Sequence, residues 1–302
     1  MTPAPSSTSP GGPLAGRVVA LTRAPGRAGA LGAALRDAGA SVLAVPVIDF
    51  AWPADLGPFD DALAGLRDSR YGWLAVTSAT TVTALTLRAV ALGTGLPELL
   101  TAGAVRLAAV GAGTAAALER AGVTVEVVPA TGSGADALLD AWPTAGENER
   151  PVLLPHSDLA AGTLETGLAD RGWTVHPVTA YRTVDHPAPE REALEPGSAD
   201  EGALPVATAQ DRRPDVVVVT SPSTLRRWLA AGDPCPIVAI GPTTAGAAAD
   251  AGYPAVATAA TADPRAVLDA VVRAARETGG TPSARSHHPG TSPAATERRW
   301  ES

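Results

Sequence analysis

The chain is 302 residues long, 45% hydrophobic and 18% charged, with a formal net charge of -8; it has material for one large or two modest globular domains and is not a fully disordered polymer. All 23 basic residues are Arg, which excludes chemistry that needs a lysine amine, a Schiff base or the lysine of a Walker loop. The acidic balance and the lack of a basic block argue against nucleic acid as a partner, whereas an anionic small ligand stays open because helix N-terminal amides bind it without side-chain charge.

Residues 1–16 are rich in Pro, Gly, Ser and Thr without periodicity and read as a disordered tail. They contain no apolar stretch of a signal peptide, and no later run approaches the length of a membrane span, so a soluble, cytoplasmic protein with no membrane partner is expected. Ten short apolar runs follow: Val18 to Thr22, Ser41 to Val47, Trp73 to Thr77, Arg106 to Val110, Val123 to Val128, Val152 to Leu154, Thr174 to Thr179, Asp215 to Thr220, Ile237 to Ile240 and Ala255 to Thr258. After most of them come a turn and an Ala- and Leu-rich segment with helical spacing, the pattern of βα units in a parallel sheet buried on both faces. Ten strands exceed one ordinary open sheet, so an α/β fold with two sheets is expected. Pro187 to Pro214 reads as a polar surface excursion with a short helix, and 277–302 as a second disordered tail that holds His287 and His288.

The sequence repeats itself. WLAVTSATTVTAL from 73 resembles VVVVTSPSTLRRW from 216, and RLAAVGAGTAAALERAG from 106 resembles PIVAIGPTTAGAAADAG from 236. The segment from 21 matches that from 153, with Leu35, Asp37, Gly39 and Val42 facing Leu168, Asp170, Gly172 and Val175, and VPATGSGADALLDA from 128 parallels ATAATADPRAVLDA from 257. Four matches in one order indicate two copies of a module, at 17–141 and 151–275.

Ligands of parallel sheets bind beyond the carboxyl ends of the strands. Those positions hold Arg23, Thr77, Ser78, Gly111, Thr114, Thr220, Ser221, Ser223, Gly241, Thr243 and Thr244. Small residues let backbone amides approach a ligand and hydroxyls donate to it, a chemistry suited to carboxylate or phosphate. Each position alone is an ordinary cap or turn residue; the excess over that reading is that Thr77-Ser78 recurs as Thr220-Ser221 and Thr114 as Thr244. The GxGxxA stretch at Gly111 is weak evidence for a dinucleotide, since its counterpart at Gly241 lacks the second glycine. His156, His176 and His186 lack partnered carboxylates, and Cys235 has no Cys or His at ligand spacing, so no metal site is expected and Cys235 reads as a small buried residue. Tyr181, after the run at 174–179, is open to two readings: half-buried filler, or a weak acid facing a cleft.

VVALTRAPG from 18, LAVTSATTV from 74, LAAVGAGTAAAL from 107, AYRT from 180, VVVTSPSTL from 217 and AIGPTTAGAAADAG from 239, in that order, resemble the uroporphyrinogen-III synthase family over nearly all of 17–276. The resemblance implies two parallel-sheet α/β domains joined by a two-stranded linker, one from 17–46 plus 184–276 and the other from 50–177, with linker strands within Val45 to Pro53 and His176 to Pro187. It implies a cofactor-free, cyclising hydro-lyase that turns hydroxymethylbilane into uroporphyrinogen III with inversion of ring D and loss of water. Tyr181 would assist departure of the hydroxyl. Thr77, Ser78, Ser221 and Ser223 would bind carboxylates, together with Arg23, and Thr114, Thr243 and Thr244 would lie near the cleft as further substrate-binding residues. Hand-over of substrate from hydroxymethylbilane synthase and a monomeric state are expected. At His156-Ser157-Asp158 the chain departs from the Gly or Arg-Gly of many bacterial relatives, and Asp158 is expected to cap the following helix. The alternative is a non-catalytic two-domain binding protein for an anionic small molecule such as a tetrapyrrole.

Overall fold

The structure is a computed structural model that describes residues 11–146, 149–196, 202–232 and 235–278. Residues 1–10 and 279–302 of the expected tails 1–16 and 277–302, with His287 and His288, lie outside the described residues. Leu14 belongs to the protein body and not to a tail: it is fully buried, and its amide donates to Ala38 O at 2.9 Å.

The described residues form two five-stranded sheets. The first runs β10-β9-β8-β1-β2 and is parallel throughout, built from β1 (Val18–Leu21), β2 (Ser41–Ala44), β8 (Val216–Val219), β9 (Ile237–Ala239) and β10 (Ala257–Thr258). The second runs β3-β7-β6-β4-β5, built from β3 (Ile48–Ala51), β4 (Trp73–Val76), β5 (Arg106–Ala109), β6 (Val152–Ser157) and β7 (Val175–Asp185). Among these strands only β3 is antiparallel; it pairs with the far half of β7, from Ile48↔Asp185 to Ala51↔Arg182. The interior strands β4 (WLAV) and β8 (VVVV) are wholly buried, as continuous apolar runs must be when helices cover both faces.

The two module copies exchange halves. β1 and β2 of the first copy join β8, β9 and β10 of the second, while β6 and β7 of the second join β4 and β5 of the first. The chain crosses between sheets along β3 and β7, which form the two-stranded linker. The run Val123 to Val128 makes a single bridge, Ala108↔Val127, in place of the expected strand, and β3 supplies the fifth member of that sheet. Having only the outermost strand beside it, this run has one side on which to pair.

Helices follow the strands as the repeat requires. α3 (Ala79–Ala91) and α9 (Pro222–Ala230) begin at Ser78 and Ser221, whose hydroxyls accept from the amides of Thr81 and Thr224, three residues on. α5 (Ala112–Arg120) and α10 (Pro242–Asp250) begin at Gly111 and Gly241. α11 (Pro264–Thr278) buries Val267, Ala270, Val271, Ala274 and Ala275, an i, i+3, i+4, i+7, i+8 stripe, against the first sheet.

The stretch from 187 to 214 is less of a surface excursion than its composition suggests. Ala193 bridges Ala51, Trp52 N donates to Glu192 O, and Leu194, 2% exposed, packs in the same core cluster as Tyr181. Arg182 fixes this segment by donating to Trp52 O at 2.9 Å and to Glu192 at 2.6 Å. The expected short helix is present as α8 (Val206–Asp211).

Candidate functional site

All the strand-end residues singled out in the sequence lie at the carboxyl edges of their sheets. Three of them, Thr77, Ser78 and Ser223, meet Tyr181 in one cavity of about 400 Å³. Ser223 comes from α9, beside the first sheet, and the other three from the second sheet, so both halves of the molecule contribute to the wall. Arg23, Gly111, Thr114, Thr220, Ser221, Gly241, Thr243 and Thr244 do not line it. Thr114 and Thr244 are 8% and 3% exposed, corresponding buried threonines in the two modules. Ser221 accepts from Thr224 N and contacts Ser223 Oγ at 2.9 Å, so the ordinary capping reading holds for it.

Tyr181 lies inside β7, which continues past the expected end at Thr179 to Asp185. The residue is 6% exposed, and its ring meets Phe50 edge to face at 5.3 Å between centroids. Its hydroxyl lies 3.1 Å from Ser78 Oγ, which also contacts Thr81 Oγ1 at 2.9 Å. The serine that caps α3 therefore also holds the phenol. The pairing of β6 with β7 slips beside the tyrosine: His156 faces Thr179, but Ser157 faces Tyr181, leaving Ala180 as an extra residue. Such a bulge re-aims the side chains that follow it and lets neighbours share one side. Ala180 and Tyr181 are consecutive, both buried and both in one core cluster.

Asp158 does not cap the next helix. α7 (Thr163–Ala169) begins at Gly162, and the Asp158 carboxylate instead accepts from Thr183 N and Ser157 Oγ, each at 2.9 Å. Cavity-lining residues that strand-end reasoning missed include Thr183 and Thr163. Thr183 was accessible to sequence: it stands two residues beyond Tyr181, on the same face of a strand. Thr163 could not be found that way, since it starts a helix after a loop.

The walls are nearly uncharged. Among the described residues Glu165 is the one carboxylate in the lining, against hydroxyls from Ser78, Ser157, Tyr181, Thr183 and Ser223. His156 is pinned by a 2.7 Å contact between its Nδ1 and Ser157 O. The Cys235 thiol, partly buried beside the first sheet, is pushed up to about 12 by burial and is no nucleophile at neutral pH. Among the described residues no cluster of His, Cys, Asp or Glu could hold a metal, and no single helix is long and apolar enough to cross a membrane.

The model of the family described as uroporphyrinogen-III synthase HemD matches residues 29–269. The chain belongs to the uroporphyrinogen-III synthase family. It is 30% identical over 172 residues to uroporphyrinogen-III synthase of Synechococcus elongatus, a match spanning 57% of this chain and 62% of the relative, so just under two thirds of that protein is covered. It is 29% identical over 242 residues to the chloroplastic uroporphyrinogen-III synthase of Oryza sativa subsp. japonica, covering 76% of this chain and 71% of the relative. A crystallised variant of uroporphyrinogen III synthase from the extremely thermophilic bacterium Thermus thermophilus has the same fold, with a TM-score of 0.56 at 22% identity over 86% of this chain and 99% of that one. That enzyme therefore shares the two-sheet α/β architecture described above.

Proposed function

We propose that this protein cyclises hydroxymethylbilane to uroporphyrinogen III with inversion of ring D and loss of water, acting as a hydro-lyase without a cofactor. Tyr181 carries the reading: a phenol held by Ser78 at 3.1 Å, in a cavity walled by hydroxyls from both halves of the molecule. When Ser78 donates to the phenol oxygen, the phenolic proton is directed to a group in the cavity. Transfer of that proton to the substrate hydroxyl releases water and leaves an azafulvenium cation. The terminal pyrrole then attacks through its substituted carbon, the spiro intermediate fragments and recloses, and the proton lost as the ring regains aromaticity restores the phenol.

Electron-rich pyrroles supply most of the reactivity, so the protein's work is to fold the chain so that one carbon is attacked in preference to its neighbour. A nearly neutral, hydroxyl-lined wall suits a substrate that carries many carboxylates, because an acidic protein must bind it without an array of opposing acids. We assign the domains to 17–46 plus 184–276 and 50–177, and take the protein to be a cytoplasmic monomer that receives its substrate from hydroxymethylbilane synthase. Arg23, Thr114, Thr243 and Thr244, outside the cavity, are assigned to substrate groups that extend along the strand ends.

Incubation of the purified protein with freshly made hydroxymethylbilane, followed by chromatographic separation of the product isomers, tests the reading. The type III isomer is expected. Formation of the type I isomer alone, the product of spontaneous closure, would overturn it and leave a tetrapyrrole-binding protein.

A further inference from the structure

Tyr181 is held at its ring by Phe50 and at its hydroxyl by Ser78, but its direction depends on the slipped pairing of β6 and β7. In an unbroken ladder Ser157 would face Ala180, and the side chains beyond would swap faces. A bulge leaves backbone groups out of register and needs something to hold them. Asp158 sits there. Its amide donates to Tyr181 O at 3.1 Å, while a single carboxylate oxygen, Oδ1, accepts from Thr183 N and from Ser157 Oγ. Ser157 Oγ in turn contacts Thr183 Oγ1 at 3.0 Å. The bonds of Asp158 thus grip β7 immediately after Tyr181, one at the tyrosine's own carbonyl and one two residues on.

An exposed acid beside a cavity meant for an anionic substrate is electrostatically unfavourable. Its presence has a reason if an acceptor is required at that point, because β6 ends at Ser157 and it is the Asp158 carboxylate, in place of a further strand carbonyl, that takes up Thr183 N. We infer that Asp158 is a positioning residue that locks the bulge and so aims the Tyr181 phenol into the cavity. The inference rests on the reading of Tyr181 as the proton donor. It also sets a chemical requirement: the oxygen matters and the charge does not, so Asn can replace Asp.

Steady-state kinetics on Asp158→Ala, Asp158→Asn, Tyr181→Phe and the Asp158→Ala/Tyr181→Phe double variant test this. Asp158→Ala is expected to lower kcat about tenfold or more without raising KM, since misplacement of a reacting group falls on turnover. Asp158→Asn, which keeps Oδ1, is expected to recover most of that loss, with KM no higher than wild type because a negative charge has gone. In the Tyr181→Phe background Asp158→Ala should cost less than about twofold more, the non-additivity expected of a residue acting through the tyrosine. The same fold loss in both backgrounds, or an Asn variant as slow as Ala, would overturn the inference while leaving Tyr181 as donor. Full activity in Tyr181→Phe would overturn both. Melting temperatures of the single variants distinguish misfolding: if Asp158→Ala is unstable, Asp158→Asn alone carries the test, turnover within about threefold of wild type supporting the inference and a loss of about tenfold or more in a stable Asn variant overturning it.

Discussion

Ser78 Oγ and the Tyr181 hydroxyl lie 3.1 Å apart, joining the head of α3 to β7 across 103 residues of chain. Ser78 therefore has two duties that substitution can separate. Ser78→Ala removes the cap of α3 and should cost about 1 kcal/mol, as should Ser221→Ala at the matching cap of α9. Only Ser78 also holds the phenol, so its variant should lose more turnover than the Ser221 variant, and less than the tenfold to hundredfold loss expected, to order of magnitude, for Tyr181→Phe. Thermal melts beside kinetics check this pairing; equal turnover in Tyr181→Phe and wild type would make the tyrosine a packing residue.

Leu194 tests whether the segment after the linker belongs to the core. It is 2% exposed and clusters with Tyr181. Leu194→Ala should destabilise by about 2–5 kcal/mol, the range for emptying a buried leucine site. Urea denaturation followed by circular dichroism measures it, and a change under about 0.5 kcal/mol, typical of surface positions, would show that the segment does not pack there.

Two glycines should respond in opposite directions to the same change. A Cβ on Gly103, at the end of α4 (Leu96–Gly103), would stand 1.8 Å from Leu66 O, a backbone atom of α2 (Gly57–Arg67), so Gly103→Ala must push two helices apart and should cost about 1–3 kcal/mol or more. Gly246 lies exposed in α10 with nothing within 4 Å of the same position, and Gly246→Ala should stabilise by about 0.5–1 kcal/mol through the unfolded chain. Melting temperatures of the two variants moving the same way would contradict the close α2–α4 contact.

Glu126 gives a pH-dependent term. Hydrogen bonds from the Arg106 guanidinium, at 2.9 and 2.5 Å, hold its carboxyl below the usual range. A carboxyl lowered in the folded state stabilises above its unfolded value, about 4.3, and that contribution fades as pH falls through the folded one. The melting-temperature gap between wild type and Glu126→Gln should thus be full at pH 7 and close in acid. With both side chains nearly half exposed, at 45% and 48%, the gap should stay below about 1 kcal/mol and shrink with salt. Arg106→Leu should cost more, because the guanidinium also lies 4.0 Å above the buried Trp73 ring. A gap that widened in acid would contradict the assignment.

The sequence by itself determined the local and periodic features. Runs such as VVVV and WLAV, short, apolar and each followed by a turn and a segment of helical spacing, read as strands buried on both faces, Ser78 and Ser221 stand where a helix needs a cap, and the repeated motifs mark a duplicated module whose strand ends carry hydroxyls. It did not determine which copy pairs with which, because parallel strands meet across long connections and hydrophobic patterning is the same for either partner. Tertiary structure decided that β1 and β2 lie beside β8, that Leu194 enters the core and that, of the strand-end residues, Thr77, Ser78 and Ser223 share a cavity with Tyr181 while the others do not. It also decided the part played by Asp158: a bulge is an out-of-register relation between two strands, and neither strand alone records it. The acidic composition of the chain thereby has a local meaning, since the acids lie elsewhere while the cavity walls, one glutamate apart, present hydroxyls.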